Sequence, residues 1–278
     1  MFRLIDIELH KLKNSRASKV LIITYFILLT SIALIAAIKF DIGPVQFHLA
    51  EQGIFNFPYI WHFNTFIAAF FKFFLLLVIV SMMANEYSNK TLKQNLIDGL
   101  SKREFVLSKF YTVIVFALIS TLFVFVVSLV LGLIYSDYNE FSIIFSDLEY
   151  LLAFFVKLMG FFSFGLFLGV LIKRSAFAVG AMLIWFFAEL IGYNVMKWKV
   201  FKDEEIADTL FQFAPLNSMW NLIDEPFSRL NAVKTIASQI GEDFTGDYAV
   251  HFYEIAIVLG WTALFTYGSY YLLKIRDL

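Results

Sequence analysis

Ionisable residues set inside long apolar runs are where this sequence could do chemistry. Lys72 lies in the run 65–84, Lys157 in 150–172 and Glu189 in 176–196. A charge at the middle of a hydrocarbon layer costs on the order of 2.5–3.5 kcal/mol, so such residues pair, line a polar path, or reach for the interface. Lys72 is 14 residues from Glu86, Lys157 is 16 from Lys173, and Glu189 is 15 from Arg174. At about 1.5 Å per residue, all three sit about 21–24 Å into a layer of about 30 Å. A shared polar layer in the outer half is expected, with Glu189 paired to Lys157 or Lys72. It would line or gate a path, or serve as a structural ion pair beside a lysine that snorkels outward.

Enzymatic constellations are absent. The four histidines, His10, His48, His62 and His251, fit no H-E-x-x-H pattern, and there is no G-x-S-x-G. His48 and His62 share the first outer loop without carboxylate or thiolate support, so no metal site is expected. With no cysteine, disulfides and thiolate chemistry are excluded. None of the 13 glycines precedes a lysine, so there is no phosphate loop of the G-x-x-x-x-G-K-[ST] type. The chain is expected to be no enzyme and to hold no cofactor of its own.

The elements that position these charges follow from composition. The 278 residues are 60% apolar, 19% aromatic and 16% charged. A soluble domain is nearer 45–50% apolar, so this excess excludes a soluble fold and names lipid as the main solvent. A net charge of −1 gives no basic field for nucleic acid. The apolar runs 20–38, 65–84, 110–135, 150–172, 176–196 and 255–273 predict six transmembrane helices, an all-α membrane protein in one domain. Residues 1–19 read as an interfacial helix with Phe2, Ile5, Leu9 and Leu12 on one arc. Lysine and arginine number 14 on the side carrying both termini and 6 on the other, so both termini are expected in the cytoplasm. Gly165 and Gly169, and Ala176 with Gly180, suit close helix approach. Residues 197–249 form an enlarged outer segment punctuated by Pro215 and Pro226. Phe211, Phe213, Leu216, Met219 and Trp220 make it apolar enough to touch lipid, and Ser228–Ile240 reads as a helix.

The stretch Asn85–Lys109, NEYSNKTLKQNLIDGLSKREFVLSK, carries the most specific signal. Ser88 or Asn89 can cap a helix that places Leu92, Leu96, Ile97 and Leu100 on one face. Gly99 can end it, and Ser101 with Glu104 forms a capping box for the next helix. An apolar face outside lipid calls for a protein partner.

Glu86, Lys90-Thr91-Leu92, Leu96, Gly99, Ser101 with Arg103, and Lys109 resemble the coupling-helix region of ABC transporter permeases of the type-2, exporter-like family. The resemblance extends to the interfacial helix, the six spans and the outer segment, and departs at Lys90, where glycine is frequent. It implies that segment 86–104 docks on a separate cytoplasmic ABC ATPase carrying ATP and Mg. Two ATPase copies and two permeases, as a homodimer or a related pair, would make one transporter in the cytoplasmic (inner) membrane. Short re-entrant or interfacial helices would cap the dimer on the outer side. The function implied is export, and the aromatic, Phe-dominated spans suit an apolar or amphipathic cargo. The alternative is a complex that does not transport but passes ATPase motion to an envelope partner.

Overall fold

The computed structural model describes residues 2–35, 39–42, 45–48, 53–201, 204–230, 233 and 246–276. Helix α1 (Phe2–Asn14) leads to Ser15, whose Oγ accepts from the Ser18 N–H at 3.3 Å and caps α2 (Arg16–Thr30). After Ser31 the first span continues as α3 (Ile32–Ile35); the rest of the expected run, 36–38, lies outside the described residues. An antiparallel hairpin follows, β1 (Lys39–Ile42) paired with β2 (Val45–His48), in a loop where no strand was expected.

The second span is a bent pair, α4 (Tyr59–Phe70) and α5 (Lys72–Ser88), meeting at 46°. It starts before the expected 65 because Tyr59, Trp61 and His62 are covered by protein, so their polar atoms need no water. Helix α6 (Thr91–Ile97) is short. Ser88 belongs to α5, and Lys90, not Ser88 or Asn89, precedes α6. It is left-handed at φ 56° and gives no side-chain cap. That backbone conformation costs glycine least, which accounts for the glycine that is frequent at this position in the resembled permeases.

Ser101 and Glu104 form the capping box of α7 (Lys102–Tyr135). Its 34 residues span about 50 Å at 1.5 Å each, more than a bilayer core needs, so its first turns project beyond the membrane. Helix α8 (Phe141–Ile144) precedes α9 (Glu149–Ile172), the core of the bundle, which packs on α4, α5, α7 and α10 (Ser175–Val195). Past α10 come a π-helical turn (Met196–Val200), α11 (Glu204–Phe211), α12 (Pro215–Asn221) and a 3₁₀ turn (Phe227–Arg229). The last span is α13 (Phe252–Ile275), which also packs on α9. The helix expected over Ser228–Ile240 starts only as this 3₁₀ turn; 231–232 and 234–240 lie outside the described residues. Among the described residues, five helices are long and apolar enough to cross a membrane, and α4 with α5 makes a sixth span if the bent pair crosses as one. The protein is an all-α membrane protein with one small hairpin.

The termini end is tied together by backbone carbonyls. Lys102 donates to Lys274 O at 3.3 Å and Arg276 O at 3.1 Å, and Arg276 donates to Val170 O and Leu171 O at 2.6 and 3.0 Å. Gly165 and Gly169 let α9 close on α5. A Cβ at Gly165 would run into Leu76, and one at Gly169 would lie 3.1 Å from the Met83 Cβ. Ala176 and Gly180 do not pack in this way: Ala176 is exposed, and nothing lies within 4 Å of a Cβ at Gly180. Overpacking a tight contact costs about 1–3 kcal/mol. Gly169→Leu should therefore lower the melting temperature of the purified protein in detergent, and Gly180→Leu should leave it unchanged.

Candidate functional site

At the termini end, four elements meet on one carboxylate. Glu86, in the last turn of α5, is buried at 3% exposure. Its Oε1 accepts from Lys109 Nζ of α7 at 2.6 Å and Lys11 Nζ of α1 at 2.8 Å. Its Oε2 accepts from Thr91 Oγ1 at 2.6 Å and Asn95 Nδ2 at 3.2 Å, both on α6. A carboxylate has about four acceptor positions, and all four are used. Lys109, fully buried, donates also to Glu8 Oε2 of α1 at 2.6 Å, and Ser108 donates to Glu8 Oε1 at 3.3 Å. Two carboxylates and two ammonium groups thus balance in charge. A buried ion cluster is tolerable only when each charge is paired and hydrogen-bonded.

The face of α1 that packs on protein is Leu4, Glu8 and Leu12, each four residues apart and each buried. The expected apolar arc is split, with Leu12 buried and Leu9 exposed. Most of the apolar stripe of α6 is used inside the chain. Leu92 is buried, and Leu96 and Leu100 pack on the same core. Ile97 alone of the four is outward, 70% exposed, beside exposed Lys93, Gln94 and Asp98. A seven-residue helix lying across a bundle end seals that end with its stripe, so the surface left free is mainly polar. Lys90 is exposed. Arg103, on the first turn of α7, lines a cavity of about 630 Å³ between α7, α9 and α13.

In the other half of the bundle, Lys72, Lys157 and Glu189 line one cavity of about 650 Å³. The expected ion pair is not formed. Glu189 caps α12 instead: its Oε1 and Oε2 accept from the backbone N–H groups of Leu216 and Asn217 at 3.1 and 2.8 Å, and Oε1 from Trp185 Nε1 at 2.5 Å. Free amides at a helix start are strong partners for a carboxylate. Lys157 donates to Trp220 O at 3.1 Å, and Lys72 stands 4.5 Å over the Phe161 ring. Lys157 does not snorkel, because α9 is enclosed by other helices.

Arg229 clamps the outer segment to the helix ends. It donates to His62 Nδ1 at 3.0 Å and Tyr150 Oη at 3.2 Å, with Tyr59 and Tyr248 rings 5.3 and 5.6 Å from its guanidinium. His62 Nε2 then carries the proton and donates to Asp224 O at 2.9 Å. Both ring nitrogens are engaged, leaving no lone pair for a metal. Burial raises the Asp224 carboxyl above its usual range.

A family model described as ABC-2 family transporter protein matches residues 7–278, from within α1 to the chain end. The chain belongs to the ABC-2 transporter family. It is a multi-pass permease subunit of an ABC transporter, and the family implies an ABC ATPase partner. No curated protein matches it. The matched range contains every residue of the Glu86 cluster.

Glu8, Lys11 and Arg229 of this permease escaped the reading from sequence. Glu8 did leave a trace, since it stands four residues from both Leu4 and Leu12 on a stripe that turns out to be buried. Removing one partner of a buried ion cluster costs about 3–5 kcal/mol. Lys109→Met, which leaves Glu8 and Glu86 with only the half-exposed Lys11 to share, should therefore lower the permease's thermal stability by that order. Adding Glu8→Gln should recover part of the loss in the same melting assay.

Proposed function

We propose that the permease exports an apolar or amphipathic cargo, driven by a separate ATPase that docks on α6. The observation that carries this reading is the Glu86 cluster, which ties α6 to α1, α5 and α7 through hydrogen bonds of 2.6–3.2 Å. A displacement of α6 is then passed to α5 through Glu86, and to α7 through Lys109 and the Ser101–Glu104 box. The energy comes from ATP and Mg held by two ATPase copies, and the cargo path forms between two permeases, as a homodimer or a related pair. The excess of lysine and arginine supports a cytoplasmic position for the termini end, in the inner membrane. The outward surface of α6, Lys93, Gln94, Ile97 and Asp98, is the docking face.

The chain has no cysteine, so single-cysteine variants report one position each. Ile97→Cys should cross-link to the co-expressed cognate ATPase. Phe252→Cys, 81% exposed at the far end of α13, should not. Equal cross-linking from both positions, or none from Ile97→Cys, would overturn the docking assignment. Hydrolysis stimulated by cargo supports transport. Unstimulated hydrolysis together with co-purification of an envelope protein supports the alternative, in which the motion acts outside the membrane.

A further inference from the structure

The cavity around Lys72 and Lys157 holds two buried lysines with no salt bridge to either among the described residues. Lys72 is 7% exposed and Lys157 2% exposed. Neither forms an ion pair among the described residues. Lys72 has only the Phe161 ring, and Lys157 has the Trp220 carbonyl and ring. The acids nearby are bonded elsewhere or act only at longer range: Glu189 and Asp208, both in the cavity wall, accept from the α12 amides and from Tyr193 Oη at 2.7 Å, and Asp224 attracts Lys157 through space without a salt bridge to it. Two like charges in one low-dielectric cavity repel each other, and each carries a desolvation cost. Phe66, Phe73, Phe161, Met182 and Trp220 give the wall a broad apolar and aromatic part, beside the polar Asp208, Asn217 and Asn221. Its volume of about 650 Å³ falls in the usual range for small-molecule sites.

We infer that this cavity binds an amphipathic anion, its acidic headgroup held between Lys72 and Lys157 and its apolar body laid along the phenylalanine wall. The anion gives both lysines a direct ionic partner and replaces part of their lost hydration. Phe70, Phe73 and Phe186 line the cavity and are also exposed on the surface of the bundle, so a ligand can enter sideways from the membrane. That the bound anion is the exported cargo rests on the transport reading above; the binding itself does not.

The test is made on the permease alone in nanodiscs of phosphatidylcholine, so that a failure of transport and a failure of the site are read separately. Palmitate is compared with hexadecanol, and phosphatidic acid with phosphatidylcholine. The first pair probes a free acid and the second a lipid headgroup. A charge-assisted contact in a buried site predicts at least about tenfold preference for one acid over its uncharged or zwitterionic counterpart. A Lys72→Met, Lys157→Met double variant should lose that preference, and the matching double arginine variant should keep it. Equal retention within both pairs, or a preference that survives the double methionine variant, overturns the site. Size-exclusion profiles matching the wild type establish that each variant is folded.

Discussion

Glu86 is placed where four chain segments have to be held together and water is excluded. Its carboxylate takes donors from Lys11, Lys109, Thr91 and Asn95, one or two from each neighbouring element. A buried charge with fewer partners would be a liability, and a neutral side chain would leave Lys109 unpaired. The requirement that every one of these groups be satisfied at once fixes α1, α6 and the start of α7 on the end of α5. Leu92, Leu96 and Leu100 then close the apolar bundle from below, which is why only Ile97 of that stripe remains outward.

The opposite half is held differently. There α9 is enclosed by the other helices, and short outer elements are fastened by side chains that reach backbone groups. Glu189 holds α12 by its amides, Trp61 donates to Ile144 O at 2.8 Å, and Arg229 with His62 holds the segment around Asp224. The clusters at the two ends therefore contrast. The one at the termini end pairs its charges directly and is closed, whereas the outer cavity keeps two lysines without a salt bridge beside a largely apolar wall. A closed cluster suits transmission of motion, and a cavity with unpaired lysines suits a ligand.

Much of this fold is legible in the sequence because lipid enforces long apolar runs and leaves charges to mark their ends. The capping box at Ser101 and Glu104 and the break at Gly99 rest on local patterns and appear where expected, and the six apolar runs are answered among the described residues by five long helices and one bent pair. What was hidden depends on contacts between distant residues. Glu8 is 101 positions from Lys109. The amides that satisfy Glu189 are backbone groups of α12, which no side-chain type marks, so Lys157 and Lys72 at the same expected depth looked like its natural partners. The bend at Phe71 leaves no proline or glycine in the sequence, and the early start of α4 was masked by polar side chains that the fold itself covers.

Because Glu86 accepts from both Lys11 of α1 and Thr91 and Asn95 of α6, the two helices are expected to move as one body, and the most direct test is a distance between them in the working transporter. Spin labels at Lys13 and Lys93, both exposed, can be placed in a chain free of cysteine. In the assembled complex the distance distribution should stay the same with and without ATP, and should broaden when Glu86→Gln is introduced. A wild-type distance that shifts with nucleotide, or a distribution untouched by Glu86→Gln, would contradict the account.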